Sequence, residues 1–360
     1  MRLMKVVTVI CWLIAAAALL GLACWFLSGT IFGVGTKGWF SGVSFGNGGG
    51  NLRGAYEVAG TYNVSPSGID SIDINWVSGD VTVKPYDGSE IQFIEYSRRE
   101  LGSDEYLSYS ESGGTLTIKY SIANSLIYMP TKKLEVFVPR TLCDNLVRFN
   151  IDSTSADVNV DNISASTYRI KSTSGSVNAS ILSSRTLDIG TTSGTITLKS
   201  ATADDMKVHS TSGTMRVSEV YAATLDARGT SGTIRISDTT VDTITVHSVS
   251  GGMHLEDVVT GYLEGDTTSG SIELEGSIDS ASLKSNSGKI TLSSSVAPAS
   301  LIAKTTSGSI IVTIPGDSTV SVSHSTTSGK FSSEVPTIMN TSDPQFRLSS
   351  TSGNIKILAG

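Results

Sequence analysis

Thr173-Ser174-Gly175, Thr192-Ser193-Gly194, Thr211-Ser212-Gly213, Thr230-Ser231-Gly232, Val249-Ser250-Gly251 and Thr268-Ser269-Gly270 place six glycines 19 residues apart. A spacing held through five successive intervals marks a repeat architecture. The series continues at Gly288, Gly308, Gly329 and Gly353 with intervals of 18, 20, 21 and 24, and Thr154-Ser155-Ala156 stands one period before Gly175.

Apolar residues fall at fixed offsets from each glycine, seven and five before it and two and four after it. Around Gly194 they are Leu187, Ile189, Ile196 and Leu198, and around Gly213 they are Met206, Val208, Met215 and Val217. Each flank alternates with period 2, so one unit is two short strands meeting at a sharp corner. Antiparallel hairpins are the alternative, but each would leave a greasy face without an opposing layer. Coiling stacks equivalent positions about 4.8 Å apart and closes one interior. The predicted fold class is all-β, a parallel β-solenoid (β-helix-like) with coils of about 19 residues, preceded by one transmembrane helix. The corner glycines, Gly79 and then Gly175 through Gly353, need either a positive φ or a backbone approach that a Cβ would crowd. The Ser and Thr hydroxyls before them are expected to stack as ladders on corner backbone groups.

Composition agrees with a structural use of hydroxyls. The chain has 360 residues, 98 of them Ser or Thr, with 39% apolar residues and a net charge of −7. Enough apolar material for a core argues against disorder, and the acidic balance argues against a basic nucleic-acid binder. Four scattered histidines and cysteines at 11, 24 and 143 supply neither zinc spacing nor a disulfide framework, so no cofactor or metal is expected. Cys143 reads as a buried small hydrophobe.

Residues 6–27 carry no charge, with Arg2 and Lys5 before them. At about 1.5 Å per residue this run can cross a bilayer as one helix. The positive-inside rule then leaves 1–5 in the cytoplasm and the rest outside. A cleaved signal peptide and a lipidated Cys24 are the alternatives. Residues 28–55, with Gly46-Asn47-Gly48-Gly49-Gly50, read as a flexible stalk. Residues 56–149 read as an irregular β capping region, in which Ile72, Ile74, Val81 and Val83 surround Gly79 as one early coil. Strands at 91–96, 115–120 and 134–138 are expected to cover it, and 150–358 is the regular solenoid. The last coil, carrying Phe346, Leu348, Ile355 and Ile357, is expected to present an open edge, unless 334–344 folds back over it.

The apolar N-terminal run, the strand Trp76-Val77-Ser78-Gly79-Asp80-Val81-Thr82-Val83, the Val138-Pro139 step and the repeated Thr-Ser-Gly-x-Ile-x-Leu resemble the bacterial putative-adhesin β-repeat family over about residues 56–358. The resemblance implies surface placement in a bacterial envelope and carries no catalytic motif across. The leading expectation is a membrane-anchored extracellular adhesin or envelope-sensing scaffold, non-enzymatic, single-pass in the bacterial cell membrane. The alternative is a self-associating structural surface protein, and a polysaccharide-active β-helix enzyme is a further one. Expected partners are the bilayer through 6–27, a cell-wall polymer or envelope protein, and a like chain at the C-terminal coil.

One candidate surface is the column four residues before the glycines, with Lys171, His209, Arg228, His247, Lys284 and Lys304 broken by Gly190 and Asp266. A basic stripe of this kind can concentrate an anionic polymer or lipid headgroup, while an ordinary solvated face is the plainer reading. Six residues before the glycines, Arg169, Asp188, Lys207 and Asp226 alternate in sign. The densest acidic patch is Glu264, Asp266, Glu273 and Glu275, where an enzyme would have its carboxylates. Calcium-type Gly-Gly-x-Gly-x-Asp repeats are absent. A Thr-x-Thr array ends after Thr195 and Thr197, because Arg216 and Arg235 take the second position in the next coils.

Overall fold

Parallel coils are what the strand pairing delivers. The computed structural model describes residues 55–121, 130–339 and 345–360. Val177–Thr191, Ile196–Ser210, Met215–Gly229, Ile234–Ser248 and Met253–Thr267 pair in parallel, each residue against the one 19 positions on. Leu187, Met206, Leu225 and Ile244 therefore form one buried file, and Ile189, Val208, Ala227 and Val246 another. Burying such side chains is worth about 1.5–3 kcal/mol each, which makes the interior the main driving force of the stack.

The corner glycine is required for close approach and not for an unusual φ. A Cβ at Gly213 would lie 1.7 Å from the carbonyl oxygen of Gly194, and one at Gly232 would lie 1.8 Å from that of Gly213. Among the corner glycines only Gly79 also has a positive φ, at 95°. The hydroxyl ladder sits one step earlier than the Thr-Ser pair. Thr191 Oγ1, Ser210 Oγ and Ser248 Oγ, each three residues before a glycine and buried, accept from that glycine's N–H at 3.0, 2.8 and 2.9 Å. Ser285 Oγ and Thr305 Oγ1 donate to the preceding coil's glycine carbonyl at 3.1 and 3.0 Å. The Thr and Ser of the motif itself, such as Thr211 and Ser212, face solvent, and their backbone N–H groups donate to the coil before.

A second bend, unsignalled by glycine, divides each coil further. Asn162, Ile181, Ser200, Glu219, Asp238 and Asp257 all have φ between 50° and 56°, again one period apart. A left-handed conformation suits Asn or Asp and strains a β-branched residue. Ile181 is 53% exposed and so gains little from burial there. Ile181→Asn is expected to stabilise the protein by about 1 kcal/mol, read as a higher urea midpoint. A lower midpoint would show that the exposed Ile makes contacts worth more than the strain.

Both ends depart from chain order. Ser71–Trp76 lies between Thr115–Lys119 and Leu146–Ser153, and Gly79–Tyr86 lies between Lys132–Pro139 and Asp157–Asp161. Thr115–Lys119 and Lys132–Pro139 are thus a further coil, outside the first one in sequence, and only the outer strands act as a lid. Ile91–Ser97 pairs antiparallel with Lys132–Pro139, Glu57–Val64 pairs antiparallel with Ile91–Ser97, and Ser108–Ser112 closes Thr115–Lys119. At the other end Phe346–Ser350 and Ile355–Ala359 insert between the coil of Ser300–Thr305 and Ile310–Ile314 and the coil of Val320–Thr326 and Phe331–Ser333. The last coil in sequence is therefore enclosed on both sides, and the expected open edge belongs to the coil before it.

Beneath the antiparallel lid lies a buried ion pair. Lys132 Nζ is 2.8 Å from Glu95 Oε1, with both side chains inaccessible, and donates to the Glu105 carbonyl at 2.7 Å. It also sits 3.9 Å from the centre of the Tyr120 ring. Glu95 accepts from the Leu107 N–H at 3.0 Å. Burial pushes the Lys132 ammonium below its usual pKa, and Glu95 pulls it back. Cys143 is buried as expected, its thiol pushed up to about 11 by burial.

The membrane-helix expectation is corrected. No helix among the described residues is long and apolar enough to cross a membrane, and the helix they contain, Arg140–Cys143, has four residues. The expected helix at 6–27 and stalk at 28–55 lie outside the described residues, apart from Ala55. The described residues accordingly form an all-β parallel β-solenoid and contain no membrane-crossing helix. The bilayer partner through 6–27, the single-pass membrane location and the membrane-anchored function all rest on that helix and have no support among the described residues.

Candidate functional site

The candidate column lies on the strand segment before each corner. There Lys171, Gly190, His209, Arg228, His247, Asp266, Lys284 and Lys304 are direct partners in successive rungs. Register alone would make a basic stripe, but the neighbouring column breaks it. Lys171 Nζ is 2.5 Å from Asp188 Oδ1 and 3.1 Å from His209 Nε2, while Arg228 Nε is 2.7 Å from Asp226 Oδ1. His209 is held below its usual pKa by burial and by Lys171, which favours its neutral form. Two cations are thus matched by carboxylates two residues away or one rung away, and a third group is biased toward its uncharged form. Lys284 and Lys304 are exposed and adjacent in register, with Asp266 between them and His247. The alternating column is formed as well, with Arg169 opposite Asp188, Asp188 opposite Lys207 and Lys207 opposite Asp226.

The acidic residues divide across a corner. Glu264 and Asp266 lie on Met253–Thr267, before Gly270, whereas Glu273 and Glu275 lie on Ile272–Ser285, after it. Glu273 is engaged by His254 at 2.8 Å. Glu273 and Glu275 line a shallow cavity of about 300 Å³ together with Glu256 and Lys289. Among the described residues no group of three or more His, Cys, Asp and Glu side chains converges to hold a metal ion.

A family model, Toastrack DUF4097, matches residues 69–251 and 222–358. The chain belongs to the Toastrack DUF4097 family. Solved structures similar to this chain include a putative adhesin from Bacteroides fragilis, 13% identical, covering 84% of this chain and 97% of its own, with a TM-score of 0.39. Another is a putative cell adhesion protein from Clostridium sporogenes, 9% identical, covering 85% of this chain and 100% of its own, with a TM-score of 0.22. No curated protein matches the chain. In this Toastrack chain the two model matches overlap at 222–251 and together span residues 69–358.

Two features of this Toastrack solenoid escaped the sequence reading. One is the pair Arg216 and Arg235, which are directly opposite in adjacent rungs. Their 19-residue spacing was visible, but they read only as interruptions of a threonine array. The other is the exposed end at Val320–Met339, because sequence order placed a different coil there. Ile338 and Met339, on Thr337–Met339, are 61% and 58% exposed.

Proposed function

We propose that this protein is a non-enzymatic structural scaffold that associates with a second copy of itself through the end formed by Val320–Thr326, Phe331–Ser333 and Thr337–Met339. The observation that carries this reading is the inequality of the two ends. The N-terminal end is covered by three antiparallel strands. At the other end, among the described residues, Thr337–Met339 pairs with Val320–Val322 only, and Phe331–Ser333 has strand pairing on one side, with Ile355–Ile357. The His324 and Phe331 rings stack 4.0 Å apart in that coil, and Ile338 and Met339 are exposed on the strand that pairs with Val320–Val322. An unpaired edge flanked by apolar side chains is a template for another chain. Because the opposite end is covered by antiparallel strands and offers no matching parallel coil edge, like ends meet and give a closed two-fold dimer instead of a filament. The interrupted basic column favours a scaffold over a continuous polymer track.

Sedimentation velocity over a concentration range tests this. A dimer is expected, and Ile338→Asp combined with Met339→Lys is expected to weaken it by at least about tenfold, as loss of an interface anchor does. A protein that stays monomeric at high concentration, or a dimer indifferent to both substitutions, would overturn the reading.

A further inference from the structure

Several charges on the coils meet an opposite partner. Arg169 and Asp152 are 2.8 Å apart, Lys199 and Glu219 3.3 Å, and His254 and Glu273 2.8 Å. Arg216 and Arg235 do the reverse. They stand three residues after successive corner glycines, directly opposite each other in parallel register, between Thr197 and His254 in the same column. Both are exposed, and among the described residues neither guanidinium has an ion-pair or hydrogen-bond partner. Glu219, three residues after Arg216, is already taken by Lys199 and by the Ser200 hydroxyl at 2.5 Å.

Like charges directly opposite in adjacent strands are destabilising, so the pair works against the stack that holds it. Rungs about 4.8 Å apart put the two residues close enough for both planar forks to reach one tetrahedral oxyanion. The floor around them is small and hydroxylated. Ser218 faces Ser237 in the same two rungs, with Lys199 and Glu256 next in that column on either side. Lys284 and Lys304, also adjacent in register, lack this fork and present point charges.

We propose that Arg216 and Arg235 together bind a phosphate or sulfate group. Each guanidinium donates two parallel hydrogen bonds to oxygens of the same group, and its charge removes the repulsion between them. The group is either a free ion or one carried on a polymer, and the chemistry at the arginines is the same.

Calorimetric titration of the full chain with inorganic phosphate and, separately, with linear polyphosphate at matched ionic strength tests the site. Matching matters because exposed charges are screened by salt. Saturable binding is expected, weakened at least about tenfold by Arg216→Gln with Arg235→Gln, since each fork supplies charge-assisted bonds. Arg185→Gln with Lys330→Gln, which removes equal charge elsewhere on the surface, is expected to bind as the parent does. Binding of phosphate alone identifies a free ion, and binding only of polyphosphate identifies a polymer-borne group. In a parallel melt, phosphate is expected to raise the melting temperature of the parent above its value in chloride but not that of the arginine variant. Absence of saturable binding by either probe overturns the proposal, as does equal binding by the Arg216, Arg235 variant.

Discussion

Gly213→Ala is expected to destabilise the protein by about 4 kcal/mol or more, at the extreme of single substitutions. The added Cβ would lie 1.7 Å from the Gly194 carbonyl oxygen, which belongs to the backbone of the neighbouring rung. No rotamer change can relieve that contact. The two coils would have to separate, and separation would break the N–H to O bonds that Thr211 and Ser212 make to Thr191 and Thr192 at 3.2 and 2.8 Å. Thr211→Ala and Ser212→Ala are the comparison, because both side chains are exposed. Each is expected to change stability by no more than about 0.5 kcal/mol. Urea unfolding of the three variants checks the claim. If all three behaved alike, the motif would be held by its hydroxyls and the close-approach argument would fail.

The second large effect is expected at Lys132. Lys132→Met leaves Glu95 without its cation in a site that neither side chain shares with water. Breaking a buried pair in this way costs about 3–5 kcal/mol, mainly from the stranded carboxylate. Glu95→Leu combined with Lys132→Met removes both charges and is expected to recover most of the loss. The pair joins the lid strand Ile91–Ser97 to the end coil, where Ser97 is the direct partner of Lys132. Hydrogen exchange should therefore show Ile91–Ser97 and Leu107 losing protection before the middle coils, since stability in stacked repeats is local. Uniform loss of protection along the stack would refute the local role.

Sequence and structure agree where side-chain burial is periodic. The four apolar offsets, the 19-residue register and the alternating column from Arg169 to Asp226 follow from spacing, because every regular coil repeats one environment. The six left-handed bends were not legible. Asn162, Ile181, Ser200, Glu219, Asp238 and Asp257 share a backbone conformation and not a residue type. The short segment after each bend was missed for a related reason. Its inward positions hold Ala201 and Ala203 in one coil and Thr239 and Val241 in another, too mixed for an apolar period. The order of coils at the ends is beyond pattern altogether, since identical offsets let a coil stack on any other. At the candidate column the register was readable, while the matching of Lys171 and Arg228 by Asp188 and Asp226 depends on side-chain reach between columns.

The inserted coil at the far end has a consequence for synthesis on the ribosome. Val320–Thr326 and Phe331–Ser333 take their parallel neighbours from Phe346–Ser350 and Ile355–Ala359, segments that are made after them. During translation, the edge left by Ser300–Thr305 and Ile310–Ile314 must stay vacant while the next coil emerges, because its proper occupant is still unmade. Coils before Gly308 can add one by one in the order they appear, but the final two can only close together. A nascent chain stopped after Met339 would thus hold a sticky, unfilled berth.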